Sequence, residues 1–321
     1  MRPALSVILL TTLIGVGQGL FAGLYTVQVF ERIGLIQGPT GPLFYPVGSA
    51  FALAFLAAGL GASFFHLGRP ERAWRAVAMW RTSWLSREVI VLPAFMACVF
   101  LYGVGHYLGW ARSAPGGVDA TLIVGAIGMA LCLLLFLCTG MIYACLKFLQ
   151  EWHTPLTVIN YLLFGSASGL MLAAAYAAFV EPGLVRFFAG WAAVFTLAAL
   201  VGRGASLIRN ARLKPRSTLQ SAIGVKHPRI VQASQGFLGG SFNTREFFHG
   251  ASSAVMRSVK WLFLAAVFPV PLALLATGSI GGAPGWLAAA FLVQYAGLLL
   301  ERWFFFAQAN HPQNLYYQRV S

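Results

Sequence analysis

The chain has 321 residues, of which 59% are hydrophobic and only 9% are Asp, Glu, Lys or Arg. Soluble domains carry about 25% charged residues, so this composition excludes an ordinary soluble domain. The formal net charge is +14, from 22 Lys and Arg against 8 Asp and Glu. On a soluble protein this excess would indicate nucleic-acid binding. Here the positive charges lie between long apolar runs, which instead indicates membrane orientation and contact with anionic lipid headgroups or acidic partners.

Eight apolar runs are long enough to cross a bilayer, which takes about 20 residues. In chain order they cover about 3–30, 44–66, 86–110, 119–146, 155–180, 183–208, 255–277 and 285–309. The expected fold class is therefore all-α: one polytopic membrane domain, 1–321, built as a bundle of eight transmembrane helices. An extended polar loop, 209–250, interrupts the bundle.

Glycines recur at four-residue spacing in two of the predicted spans. The first span contains Gly15, Gly19 and Gly23, and the fifth contains Gly165 and Gly169. Small residues at this spacing let two helix backbones approach closely. Both spans are therefore expected to pack tightly against another helix.

An even number of spans places both chain ends on one side of the membrane. Of the 22 basic residues, 19 then lie on that side, and only Arg32, Arg112 and Arg186 lie on the other. Cytoplasmic loops carry the excess of Lys and Arg. We therefore expect both termini and the 209–250 loop in the cytoplasm.

Ionisable residues at membrane depth are costly and usually functional. Glu88 begins the third span and His66 ends the second on the same side, so the loop between them would bring a carboxylate and an imidazole together. Two-electron quinone chemistry also moves two protons and needs such groups beside aromatic side chains, for which Trp80 and Trp84 are suitably placed. The alternative is structural: Glu88 pairs with an arginine near the helix N-terminus, and His66 caps a helix end.

Other polar or reactive residues in the spans carry weaker signals. Glu301 and Arg302 near the end of the eighth span form either a second wall of the same pocket or a snorkelling interfacial pair. The four cysteines lie in apolar runs without a CxxC pair, which favours packing over metal ligation. His106 has no partner histidine at matched depth, as a haem would need. Spans four to seven lack interior carboxylates, which argues against a pump or an ion-coupled solute carrier.

Two motifs in these regions are specific enough to indicate a family. One is His66-Leu67-Gly68-x-Pro70-x-Arg72-Ala73 followed by Ser86-Arg87-Glu88, and the other is Glu301-x-x-x-Phe305 with Arg302. Both resemble motifs of the membrane-anchor subunits of bacterial dimethyl sulfoxide reductases. The resemblance implies an inner-membrane anchor that holds a molybdopterin catalytic subunit and a four-cluster iron–sulfur subunit, and that exchanges electrons with the quinone pool.

The same resemblance implies a quinone site and its residues. His66 and Glu88 would be the functional pair. The residues implied around the quinone, either ubiquinone or menaquinone, are His66, Trp80, Trp84, Ser86, Arg87, Glu88, Glu301 and Arg302. Molybdopterin and iron–sulfur clusters would belong to the partner subunits, and no metal site is expected in this chain.

Three further segments, 10–20, 141–155 and 242–248, resemble one branch of this family, whose enzymes oxidise sulfite in the cytoplasm. Catalytic subunits of dimethyl sulfoxide reductases generally face the periplasm, on the side of the functional histidine and glutamate. Here that side carries most of the basic residues and should be cytoplasmic, which favours the sulfite branch. Two alternatives stay open: an anchor of a sulfoxide or other sulfur-compound reductase that oxidises quinol, and a purely structural anchor.

Overall fold

The long apolar runs are helical in the structure, a computed structural model that describes residues 1–36, 40–110, 119–231, 233, 247–281 and 283–316. Eight helical segments within these ranges are long and apolar enough to cross a membrane, which confirms the predicted all-α bundle. In chain order the helices are α1 (Leu5–Arg32), α2 (Phe44–Ser63, continued to His66 by a 3-10 turn), α3 (Trp84–Tyr107), α4 (Ala120–Ala144), α5 (Pro155–Val180), α6 (Val185–Ala211), the short α7 (Leu219–Ile223), α8 (Ser253–Val267), α9 (Pro269–Gly281), α10 (Pro284–Ala307) and the short α11 (Gln313–Tyr316).

Polar residues fix where four of the spans begin. Ser83, Thr154 and Ser252 each accept a hydrogen bond from a first-turn backbone N–H, at the starts of α3, α5 and α8. Asp119 does the same for α4. Such caps satisfy N–H groups that have no partner within the helix. The observed bounds differ from the predicted ones by a few residues, and α6 continues into the start of the predicted polar loop.

The seventh span is divided into α8 and α9, which meet at Phe268, where φ is −113° and ψ is −81°. Pro271 has no N–H to donate to the carbonyl of Val267 four residues earlier. Gln294 of α10 donates to that carbonyl at 3.3 Å and to the hydroxyl of Thr196 on α6 at 3.1 Å. A buried side chain of a neighbouring helix therefore replaces the lost backbone bond, which is one way that proline breaks are tolerated at membrane depth.

The first span, α1, lies at the centre of the bundle and packs against α2, α4, α5 and α10. Its contact with α5 is made backbone to backbone. A methyl group built on Gly15 would lie 3.2 Å from the Cα of Gly165, and one on Gly19 would lie 3.0 Å from the Cα of Gly169. The prediction that these glycines permit close helix approach is confirmed. Gly23 instead faces side chains of α5 and α6.

Consecutive spans run in opposite directions, so the segments 67–83, 145–154 and 212–231 share one end of the bundle. We call these three segments the basic face. They contain ten Lys or Arg residues and two carboxylates, Glu71 and Glu151. Positive charge is therefore concentrated at the end of the bundle where α1 begins.

The opposite end of the bundle is closed by a polar contact and lined by aromatic packing. Arg32, the last residue of α1, forms an ion pair with Asp119 at the start of α4. Deeper in the bundle, the fully buried ring of Phe21 packs edge-on against Phe95 at 5.3 Å and against Tyr102 at 5.4 Å. This aromatic layer fills the interior of the bundle between the far end and the half nearer the basic face.

Candidate functional site

Glu88 lies one turn into α3 with its carboxyl group turned into the bundle, and the residue is only 6% exposed. The hydroxyl of Thr139 on α4 donates a hydrogen bond to the Glu88 carboxylate. A carboxyl group at this depth is costly unless it is hydrogen-bonded or hydrated. Thr139 supplies the hydrogen bond, and the space beside Glu88 allows hydration.

That space is a small polar cavity of about 20 Å³, which is room for one or two water molecules. Its polar lining consists of Thr11, Thr12, Gln18, Glu88, Thr139, Tyr161, Ser168 and Arg302. Gln18 is fixed in place because its side-chain amide donates to the carbonyl of Cys132 at 2.9 Å. The cavity therefore lies among α1, α3, α4, α5 and α10, on the half of the bundle nearer the basic face.

Arg302 on α10 connects this cavity to a group of three buried charged side chains. Glu301 lies between two arginines: one carboxylate oxygen is 2.9 Å from Nε of Arg203 on α6, and the other is 3.7 Å from Nη2 of Arg302. Each of the three side chains is at most 5% exposed. The Arg302 guanidinium also lies 3.9 Å from the ring centroid of Tyr161, a cation–π contact. We call Arg203, Glu301 and Arg302 the buried charge cluster.

A second polar cavity, of about 10 Å³, lies between the buried charge cluster and the basic face. It is about the size of one water molecule. Its polar lining consists of Glu151, Thr157, Asn160, Tyr161, Arg203, Ser206, Asn210, Glu301 and Arg302. The side-chain amide of Asn160 donates to the Ser206 hydroxyl at 2.8 Å. Tyr161 and Arg302 line both cavities.

The remaining predicted site residues lie at or near the basic face. The Arg87 guanidinium lies 4.2 Å from the ring centroid of Trp84 and donates from Nε to the carbonyl oxygen of Trp80 at 2.9 Å. Trp80 is 52% exposed, and His66 is exposed at the end of the turn that closes the second span. Ser86 is buried within the first turn of α3. Trp80, Trp84 and Arg87 therefore form an aromatic and cationic rim next to the first turn of α3.

The structure brings Glu88 and Arg302 to one cavity and places Glu301 directly behind it. His66 does not line either cavity within the described part of the chain. In the sequence, Arg203 counts only among the basic residues that flank the polar loop. The sequence therefore does not predict that Arg203 belongs to the buried charge cluster. Its position inside α6, about two turns before the helix ends, is the available signal. Tyr161 is missed because an uncharged residue does not stand out in an apolar run.

The two cavities are too small for a quinone ring, because small-molecule sites occupy about 300–1,000 Å³ and these occupy about 20 and 10 Å³. Trp84 and Glu88 are four residues apart and share one face of α3. Four residues of helix rise about 6 Å, so a ring bound at the basic face against Trp84 would lie about one helical turn from Glu88 along the axis of α3. The residues therefore suit a ring at the rim, with Glu88 behind it and the cavity behind Glu88.

One of the segments that resembles the sulfite-oxidising branch contributes to this architecture. Trp152, within 141–155, donates from its indole N–H to the carbonyl of Phe305 at 3.0 Å and stacks on the Phe305 ring at 5.3 Å. The segment therefore packs against the end of α10 that carries Arg302. Residues 242–246 of another such segment lie outside the described residues.

Comparison with known proteins extends the resemblance to the whole chain. Residues 4–308 match the family described as DMSO reductase anchor subunit (DmsC). The chain is also 56% identical to a sulfite dehydrogenase subunit of Allochromatium vinosum, over an alignment of 326 positions that covers all of both sequences. These matches confirm the resemblance inferred from the two motifs, and the chain, a multi-pass membrane protein, belongs to the DMSO reductase anchor subunit (DmsC) family.

Proposed function

We propose that this chain is the quinone-reactive membrane subunit of a complex whose partner subunits oxidise sulfite. The observation that carries the proposal is the position of Glu88, a buried carboxyl group hydrogen-bonded by Thr139 and set one turn behind an aromatic rim. Identity of 56% over the full length to a sulfite dehydrogenase subunit supports sulfite as the electron source.

The two half-reactions of such a complex balance. Oxidation of sulfite to sulfate consumes one water and releases two electrons and two protons, and a quinone, when bound, accepts two electrons and two protons. The electrons would travel through the molybdopterin centre of one partner subunit and the iron–sulfur clusters of another. The task left to this chain is to hold the quinone near the membrane surface and to supply protons to it.

The residues at the rim have distinct roles in this proposal. Glu88 holds the proton that is delivered. His66, exposed at the basic face, hydrogen-bonds a quinone oxygen. Trp84 forms a flat wall for the ring, with the Arg87 guanidinium over its other face, and Trp80 extends that wall at the surface. Glu301 and Arg302 act from behind, through the cavity at Glu88.

The partner subunits would dock on the basic face. Its 3-10 helix, Pro70–Met79, has no buried residue in this chain, and Trp74 on it is 70% exposed. Ten basic residues against two carboxylates favour a partner with an acidic surface. The same excess favours a cytoplasmic position for this face. Both termini and the partner subunits would then lie in the cytoplasm, with the chain in the inner membrane of a bacterium.

The test is sulfite-dependent reduction of a short-chain ubiquinone by the complex, purified intact in mild detergent. We expect turnover that a quinone-site inhibitor abolishes. Sulfite turnover with a soluble electron acceptor, but none with ubiquinone, would leave this chain as a purely structural anchor. Quinol oxidation by dimethyl sulfoxide or tetrathionate, without any sulfite turnover, would instead assign the complex to the reductases.

A further inference from the structure

Three spaces with polar groups in their linings follow one another from the basic face to Glu88. An open groove of about 710 Å³ at the basic face has Glu151 and Asn210 in its lining. The same two residues also line the second cavity, of about 10 Å³. That cavity shares Tyr161 and Arg302 with the cavity at Glu88. The groove and the two cavities therefore adjoin in that order.

Polar atoms on the cavity walls lack protein partners. Within the described part of the chain, no protein atom forms a hydrogen bond with Oδ1 of Asn160, Nη2 of Arg203 or Nε of Arg302. These three residues are only 6%, 2% and 4% exposed. Buried water is normally found where otherwise unsatisfied polar groups surround a space of at least about 10–15 Å³. The walls and the sizes of the cavities thus both indicate water inside them.

We propose that these spaces hold a chain of water molecules that carries protons from the groove at the basic face to Glu88. The proposal rests on the function proposed above, because quinone reduction removes protons that must be replaced at Glu88. Protons pass between water molecules and the hydroxyl of Tyr161. The two arginines stay protonated and orient the water.

The charges along this path allow a proton to enter. The buried charge cluster alone carries one excess positive charge, which would repel a proton at short range. Ionised Glu88, which lines the same cavity as Arg302, restores the balance of two positive and two negative charges. Glu151, in the lining of the second cavity and of the groove, adds a further negative charge at the entrance. The buried charges along the path therefore have no net positive charge to repel a proton when Glu88 needs one. The competing route is direct entry from the surface past the exposed side chain of His66.

The test combines a hydration measurement with turnover, both on the complete complex. Radiolytic hydroxyl labelling in H₂¹⁸O reports whether exchangeable water contacts Tyr161. Asn160→Leu replaces the amide in the second cavity with an apolar side chain of similar size. Asn210→Leu, at the partly exposed mouth, is the second variant in case the first fails to fold. Gln28→Leu is the matched control, because this amide on α1 is only 3% exposed and lies outside both cavity linings. Its side chain donates to the hydroxyl of Thr121, much as that of Asn160 donates to the hydroxyl of Ser206.

In the unmodified complex and the control, we expect ¹⁸O on Tyr161, and we expect little label there in the two cavity variants. Quinone turnover should fall about tenfold in those variants, less than the roughly hundredfold that a directly positioned acid or base contributes. A small weak acid such as acetic acid should restore that turnover. The KM for quinone should stay unchanged, because the rim is not altered.

Several results would overturn the proposal. Absence of label on Tyr161 in the unmodified complex would show that the cavities are dry. Full turnover in an Asn160→Leu complex that lacks ¹⁸O on Tyr161 would show that this water is not needed for catalysis. It would favour the route past His66, while the proposed function would stand. Equal loss of turnover in Gln28→Leu would reveal a merely structural effect. A labelled complex that reduces no quinone would remove the proposed function and the role of the path with it.

Discussion

Removing the one carboxylate of the buried charge cluster should be costly to the fold. Glu301→Gln keeps the shape of the side chain but removes the only carboxylate within the cluster, the one that pairs with both Arg203 and Arg302. Each arginine side chain is at most 5% exposed, so the one or two water molecules that each adjoining cavity can hold cannot replace the lost negative charge. We therefore expect the variant to be strongly destabilised rather than merely altered in activity.

The distances in the cluster give the size of the effect. At an effective dielectric constant of about 20, separations of 2.9 and 3.7 Å correspond to attractions of about 6 and 4 kcal/mol. Repulsion between the arginines and new hydrogen bonds from the glutamine offset part of this. Removing one partner from a buried ion pair costs about 3–5 kcal/mol, and we expect a loss in that range. Adding Arg203→Gln should recover about 2 kcal/mol by restoring the net charge of the cluster.

The measurement is unfolding by titration with SDS in mixed micelles, followed by circular dichroism. Glu71→Gln is the matched control, because Glu71 lies 3.8 Å from Arg72 at the surface and both side chains are more than half exposed. An exposed pair is worth at most about 1 kcal/mol. Similar losses for Glu71→Gln and Glu301→Gln would refute the reasoning, as would strictly additive losses in the double variant.

Three further predictions concern the site, the packing and the far end. The Glu88→Gln side chain can still accept the hydrogen bond from Thr139 but can no longer release a proton. Quinone turnover should therefore fall about hundredfold. Full turnover in an assembled complex would exclude the proton role. Gly19→Ala should destabilise the bundle by about 1–3 kcal/mol through overpacking against α5. Gly204→Ala should not, because a methyl group there would meet no atom within 4 Å. Equal losses of stability in SDS titrations of the two variants would contradict the backbone contact. Burial opposes ionisation of Asp119, but hydrogen bonds and the ion pair outweigh burial and lower its pKa. This stabilisation is present above the ordinary carboxyl pKa of about 4 and is lost as the pH falls below it. Asp119→Asn should therefore weaken the acid dependence of thermal stability, and an unchanged profile would argue against this linkage.

Much of the fold could be predicted because its signals are local. An apolar run longer than the bilayer needs no tertiary knowledge, so all eight spans could be placed to within a few residues. Glycine spacing likewise marked the faces on which α1 and α5 meet. The division of the seventh span could not be predicted as readily. Pro271 lies within that span, but the bond that makes the break tolerable comes from Gln294 on another helix.

The site could be predicted only in part, because its partners are distant in sequence. Glu88 and Glu301 were recognisable as carboxyl groups beside apolar runs. Arg203 is paired with Glu301 across two helices, and near the end of a span an arginine fits a snorkelling position equally well. Placing His66 beside Glu88 assumed that the intervening loop folds back. The structure shows a 3-10 helix, Pro70–Met79, within that loop and an exposed imidazole at the end of the second span. The proximity of His66 and Glu88 stays a prediction.

The backbone contact between α1 and α5 also bears on how the protein is made. Of the eight spans, α1 is synthesised first, yet 72% of its apolar window is buried, the largest share of any span. The next span, α2, packs against another side of α1. The face with Gly15 and Gly19 has no helix to meet until α5 leaves the ribosome, so this face must first be stable against lipid. Gln18, Thr11 and Thr12, buried in the finished bundle, face lipid or a translocation channel during that interval. Among these eight helices the order of insertion and the order of packing therefore differ, because the earliest of them is enclosed only when the later ones arrive.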